Sequence, residues 1–381
     1  MMYCCLAWAM PSPRTGKLMP SAPRAVPLVP PTAFLAAGTL AVSIAPAEAG
    51  DLKEDFIALP EASLYFHNHS TGTAPEHGSD ALVDFFLSAE YLRQWRLLSE
   101  VVVGGEERDL ERLMVGHIDS DGNLIWGGRY HTALGQWNFK FHHGAYLQTT
   151  IHRPGIIEWE DEGGVIPAHA TGVSVDGQRE INSRALGYSV GLGLGPELGN
   201  QGKLVAYDLL NAGARQHDVA LIGELTSHAR DNPFDDTGVF AGYITIPSQA
   251  VDIHRVQQTV VGAFINQTLD AVLWRATLFY VADALTFNGG GERSESFTYA
   301  YLQPEYVYNA IWTYYGRWER SFGVGNNIYL KQIPSFVTER ILIGTRYQLR
   351  VNQALKVELA NMEQYGQHFL SAEAQWSASL P

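Results

Sequence analysis

Five histidines, four carboxylates and an arginine crowd into one stretch: His131, His142, His143, His152 and His169, with Glu158, Glu160, Asp161, Glu162 and Arg153 among them. Imidazole is the commonest metal ligand, and carboxylates complete many metal sites. The spacing argues against one. No His-x-x-x-His pair sets two ligands on a helical face, and His142 and His143 point opposite ways in an extended chain. Structural or hydrogen-bonding roles are the first reading for these histidines, and no metal or cofactor is expected. The acidic run 158–162 reads in two ways. It is a solvated loop, or a charged lip of the kind that sets ion preference in a pore.

A second group is basic. Arg275, Arg317, Arg340, Arg346 and Arg350 share the polar parity of their segments, late in the chain. If the stretch holding residues 158–162 faces them, an acidic edge opposes a basic wall and a transverse field follows. The plainer reading pairs the arginines locally with Glu319, Glu339 and Glu358. Nucleophilic chemistry is thinly represented. Gly187-Tyr188-Ser189-Val190-Gly191 fits G-x-S-x-G, but that motif works on a strand-to-helix elbow, and here it lies inside an alternating run. The glycines from Gly191 to Gly199 enter no helix, so they make a poor phosphate loop. Ser189 and His228 are the best pair the chain offers to an enzyme built on strands.

The elements that must position these residues are strands. Leu186, Tyr188, Val190, Leu192 and Leu194 alternate with glycine or serine. Val83, Phe85, Leu87, Ala89 and Tyr91 alternate with a set holding Asp84, Ser88 and Glu90. Leu355, Val357 and Leu359 alternate with Lys356 and Glu358, and Ile341 and Ile343 stand against Arg340. Side chains of a strand have period two, so each run has an apolar face and a polar or bare one. Such runs recur from residue 81 to 380. They include 203–211, 296–303, 305–319 and a final run, 353–380, long enough for two strands with a turn near Gly366. A first run, 61–68, has an open relation to the others. The pattern is that of an all-β, transmembrane antiparallel barrel of about 16 strands, within about 14 to 18. Asp121-Gly122, Asn288-Gly289 and Gly325-Asn326 mark turns. Trp274, Tyr280, Trp312, Tyr314, Trp318 and Trp376 suit interface girdles.

Residues 1–49 differ in kind. Arg14, Lys17 and Arg24 precede an apolar stretch and Ala47-Glu48-Ala49, the order of a secretory signal peptide. Cys4 and Cys5 are the chain's 2 cysteines, so a mature chain would hold no disulfide framework or thiolate metal site. Without the leader, 26 basic and 40 acidic residues become 23 and 39, a net charge of −16. That balance is a poor match for nucleic acid.

One stretch, 133–170, breaks the alternation. Its text includes Gly135-Gln136-Trp137-Asn138, then Phe141-His142-His143-Gly144-Ala145-Tyr146-Leu147-Gln148-Thr149. It ends on Glu160-Asp161-Glu162-Gly163-Gly164-Val165-Ile166-Pro167-Ala168-His169. These residues resemble a poorly characterised family of porin-like outer-membrane proteins of Gram-negative bacteria. The resemblance implies one barrel domain over residues 50–381, with 133–170 as a long loop that folds inward or caps the barrel. The lumen-facing sets hold no catalytic constellation, so the reading is a passive channel rather than an enzyme, passing small hydrophilic solutes or ions, with a mild cation preference expected from the acidic balance. Its implied partners are outer-membrane lipids and lipopolysaccharide, the barrel-assembly machinery during insertion, and a homo-oligomer as an open option. A barrel lipid hydrolase and a non-conducting binding barrel remain the alternatives. On this reading Glu158, Glu160, Asp161, Glu162, His142, His143, Arg153 and the five arginines line the constriction.

Overall fold

A sequence such as Leu355-Lys356-Val357-Glu358-Leu359 satisfies both faces of a strand where one meets lipid and the other a polar interior. The computed structural model of the chain describes residues 52–69, 76–104, 108–141, 144–160, 162–209, 216–229, 232, 235–364 and 366–381. The expected signal peptide lies outside the described residues, as do His142, His143 and Asp161. Among the described residues, sixteen strands close one antiparallel barrel. The first seven are β1 (Leu52–His69), β2 (Glu76–Tyr91), β3 (Trp95–Gly104), β4 (Arg108–Ile118), β5 (Leu124–His131), β6 (His169–Ile181) and β7 (Arg184–Leu194). A separate two-stranded sheet follows, β8 (Glu197–Leu198) with β9 (Leu204–Val205). The barrel resumes with β10 (Val219–Ala229), β11 (Asp236–Pro247), β12 (Ile253–Leu269), β13 (Val272–Phe287) and β14 (Glu292–Val307). It finishes with β15 (Trp312–Phe322), β16 (Glu339–Arg350), β17 (Gln353–Gln364) and β18 (Gln367–Ala378). Two short helices lie in connections, α1 (Gln136–Lys140) and α2 (Ile328–Lys331). No described helix is long and apolar enough to cross a membrane.

Neighbours in sequence are neighbours in the barrel, except that β7 pairs with β10 and β1 pairs with β18. The alternation holds face by face. Leu355, Val357 and Leu359 are exposed while Ala354, Lys356, Glu358 and Ala360 are buried. Phe85 and Leu87 are exposed while Asp84 and Ser88 are buried.

The strand reading needs two corrections. The run 203–211 is no barrel strand. Its apolar Leu204 is buried against Leu198 in a shared apolar cluster, so the pattern there reports internal packing. The run 353–380 is two strands turning at Gly366, as its length suggests, and this restores the count. The break between 296–303 and 305–319 falls later than the sequence suggests. Pro304 stays within β14, opposite Trp274. The turn comes at Asn309, whose side-chain oxygen accepts from the N–H groups of Ile311 and Trp312 at 2.8 Å each. The early run belongs to the barrel and begins at Leu52.

The interior also departs from expectation. It is charged along β15–β17 and β2–β4, whereas across β10–β14 a block of apolar side chains fills it beside the buried Glu224, Asp236, Arg275, Asp283 and Glu305. There Ile222, Ile244, Val260, Phe279, Val281 and Tyr299 are buried. They pack against Leu134, Trp137, Ile156, Ile157, Val165 and Ile166 of the β5–β6 connection, and against Tyr329, Leu330 and Phe336 near α2. Each full burial of such a side chain contributes roughly 1.5–3 kcal/mol. Two glycines in the connection are demanded by contact: a Cβ on Gly163, at φ +115°, would lie 2.7 Å from the Ser335 carbonyl oxygen, and one on Gly155 would lie 2.8 Å from Val337.

Candidate functional site

Residues 132–168 run without long secondary structure, so most of their backbone N–H and C=O groups need partners from elsewhere. The base of the connection is closed locally. Thr132 donates its N–H to the Ala168 oxygen at 2.9 Å and its hydroxyl to Pro167 at 2.6 Å. Beyond that, the inner faces of β14–β17 supply many of the partners, and Glu61 of β1 and Gln258 of β12 add one each. Arg317 donates to the His152 and Arg153 carbonyls at 2.9 and 2.8 Å. Arg340 reaches Arg153 at 2.7 Å, and Arg346 reaches Tyr146 and Gln148 at 2.6 and 2.7 Å. Lys356 donates to Ala145 and Thr150 at 2.5 and 3.1 Å.

Carboxylates take the opposite ends of the peptide dipoles. Glu319 accepts the Gly155 N–H at 2.7 Å, and Glu358 accepts that of Ile151 at 2.9 Å. Glu305 accepts from the Thr149 hydroxyl at 2.7 Å and from Arg275 at 2.6 Å. Cations bind carbonyls and anions bind N–H groups, each bond charge-assisted. Glu319 also pairs with Arg317 at 3.2 Å and Arg340 at 3.3 Å, so the wall charges offset one another as well.

The expected site residues therefore separate. Arg275, Arg317, Arg340 and Arg346 share this clasp, and Arg275 also lies 4.5 Å from the Phe141 ring centre. Arg350 does not join them; it is the last residue of β16, exposed beyond the clasp. Arg153 is buried, bonded to the Asn138 side chain at 2.6 Å and the Ile157 carbonyl at 2.9 Å, and stacked 3.6 Å from the Trp159 ring centre. Burial pushes its guanidinium down to about 10, despite Glu158 and Glu160 nearby.

The acidic run is divided too. Glu158 is half-buried; burial raises its carboxyl, against the pull of Arg340 and Arg153. Glu160 is buried and accepts the N–H groups of Ala168 and His169 at 2.8 Å each. Burial alone would raise it, but His169 holds it below the usual range. Glu162 is exposed. The expected single charged lip is thus three separate environments, because Gly163 and Gly164 fold the chain back and turn Glu160 inward.

His152 sits between Glu358 and Glu373, at 2.5 and 3.1 Å. Burial alone would lower its ring, but the two carboxylates outweigh it and push it up to about 9. His131 and His169 are cross-strand partners with ring centres 4.9 Å apart. Glu111, Glu305 and Glu373 escaped the sequence reading. Each lies on an interior parity, which was legible, but only the fold brings them beside the connection. Ser189 and His228 do not meet. Ser189 stands opposite Glu224, while His228 stands opposite Ala185, four residues away or roughly 13 Å along the ladder.

No family model matches the chain, and no curated protein matches it in sequence. Solved structures do match in fold. An anion-selective porin from Comamonas acidovorans aligns with a TM-score of 0.59 at 8% identity, over 87% of this chain and 100% of that one. The outer-membrane channel DcaP of Acinetobacter baumannii gives 0.56 at 10%, over 87% and 98%. OmpT of Vibrio cholerae, an outer-membrane protein in its trimer form, gives 0.53 at 12%, over 86% and 99%. The chain has the fold of these porin-like barrels.

Proposed function

We propose that the protein is an outer-membrane channel for passive diffusion of small hydrophilic solutes, with residues 132–168 narrowing its lumen. The observation that carries this reading is the closed sixteen-strand ladder with an apolar exterior and a connection clasped to its inner wall. Barrels of about 16 strands are wide enough for an aqueous channel. A leader over residues 1–49, removed on export to leave a single barrel domain from residue 50, fits this location. So do contacts with lipid and lipopolysaccharide, insertion by barrel-assembly machinery, and assembly with further copies as in the trimeric relative in fold.

The finer proposal is a mild cation preference. The wall arginines spend their donors on carbonyl oxygens of the connection, which blunts their field in the lumen. The mature excess of 39 acidic over 23 basic residues then weighs toward cations. The Comamonas relative in fold is titled anion-selective, so the sign must be measured. Single-channel recording in planar bilayers under a salt gradient tests both parts: steps of conductance with a cation-selective reversal potential are expected, and Glu158→Gln should move it toward anions. Silent bilayers would favour the second reading, a closed barrel, which the apolar cluster across β10–β14 supports. The separation of Ser189 from His228 weighs against a hydrolase.

A further inference from the structure

We infer that Glu111, His131 and His169 form a binding site for a divalent transition metal ion of the zinc class, independent of whether the barrel conducts. One ligand atom from each lies within 4.8 Å of the other two, and all three residues are buried. The set comes from three neighbouring strands rather than a helix, which is why helical spacing does not reveal it. His131 and His169 face each other across β5 and β6. The β4–β5 register that sets Leu113 opposite Arg129, carried two residues further, brings Glu111 level with His131. Two imidazoles and a carboxylate with one position left open is a donor set that suits zinc and its neighbours.

Two further observations point to a metal. The first is orientation. His169 Nε2 lies 2.6 Å from Glu111 Oε2, while its Nδ1 lies 2.9 Å from Glu160 Oε2. A carboxylate behind one ring nitrogen is the usual support for a metal on the other. Glu160 is itself fixed by two backbone N–H groups, at 2.8 Å each. The second is access. A cavity of about 220 Å³ borders Glu111, Glu160 and His169, so a solvated ion can reach them and keep a water or solute as its fourth ligand. The alternative occupant is a proton, which would make His169 an imidazolium between two carboxylates.

Zinc titration of the full refolded barrel, stripped with chelator and read against a chromophoric zinc indicator, decides between them. One zinc ion per chain is expected. His131→Gln and His169→Gln should each weaken uptake by at least about tenfold, and Glu160→Gln by about tenfold through the lost support. The exposed His254→Gln should leave it unchanged. X-ray absorption at the zinc edge of the wild-type protein, which does not rely on any variant folding, should show scattering from two imidazoles. No stoichiometric uptake would overturn the site in favour of the proton. So would uptake that survives both substitutions and falls with His152→Gln, which would move the ion to the Glu358–Glu373 pair.

Discussion

Arg317 makes the stakes of the clasp clear at the scale of one residue. It is buried and donates to two backbone carbonyls, to Gln303 and to Glu319. Removing one member of a buried charged network strands the others, so Arg317→Met should cost about 3–5 kcal/mol in denaturant titrations. Arg320, whose pair with Glu339 at 3.6 Å is largely exposed, gives the contrast: Arg320→Met should cost less than about 1 kcal/mol. His152 adds a pH dependence. Its ring is raised from 6.5 to about 9 in the folded chain. A raised histidine contributes fully below about pH 6.5, and its contribution disappears as pH rises through about 9. Denaturation midpoints should therefore fall between those limits, and His152→Gln should flatten the fall. An equal slope in the variant would assign it to another group.

At the scale of the element, alternation was readable because a strand against lipid needs every second side chain apolar. Leu355, Val357 and Leu359 declared their face without any help from the fold. The errors arose where apolar residues answered a different partner. Leu204 alternates because it packs inside, and Pro304 looked like a break although β14 carries on through it. The clasp was half legible: parity placed Arg275, Arg317, Arg340 and Arg346 inward. Nothing in period two says that Arg317, Arg340 and Arg346 would bind backbone carbonyls of residues 164 to 200 positions earlier. Position along the strand gives a further prediction. Ile343 is exposed midway along β16, opposite Gly316 and Leu359, whereas Trp312 opens β15. Ile343→Arg should cost roughly 2–4 kcal/mol and Trp312→Arg roughly 0–1, since the penalty fades toward the interface. Equal costs would displace the assigned midplane.

For the whole molecule, the barrel class and the strand count were both available from the sequence, while the filling of its interior was not. The apolar block on the inner faces of β10–β14 and the charged residues of β15–β17 both look like an interior parity. Only the docking of residues 132–168 distinguishes them. A closed ladder of this extent should resist detergent until heated, so unheated and boiled samples should migrate differently in a gel. Identical migration would count against a closed barrel.

The pairing of β1 with β18 has a temporal consequence. Phe66 meets Ala372, and Ala58 exchanges hydrogen bonds with Leu380 at 2.9 and 2.8 Å. This seam joins the earliest strand to the last one, whereas every other strand finds a partner nearby in sequence. Loop-closure entropy makes such a distant contact the most expensive to form. The growing sheet must therefore carry two raw edges through nearly its whole assembly, each a template for the wrong neighbour. Those edges stay open until β18 pairs with β1, so the final register is the step that removes both at once.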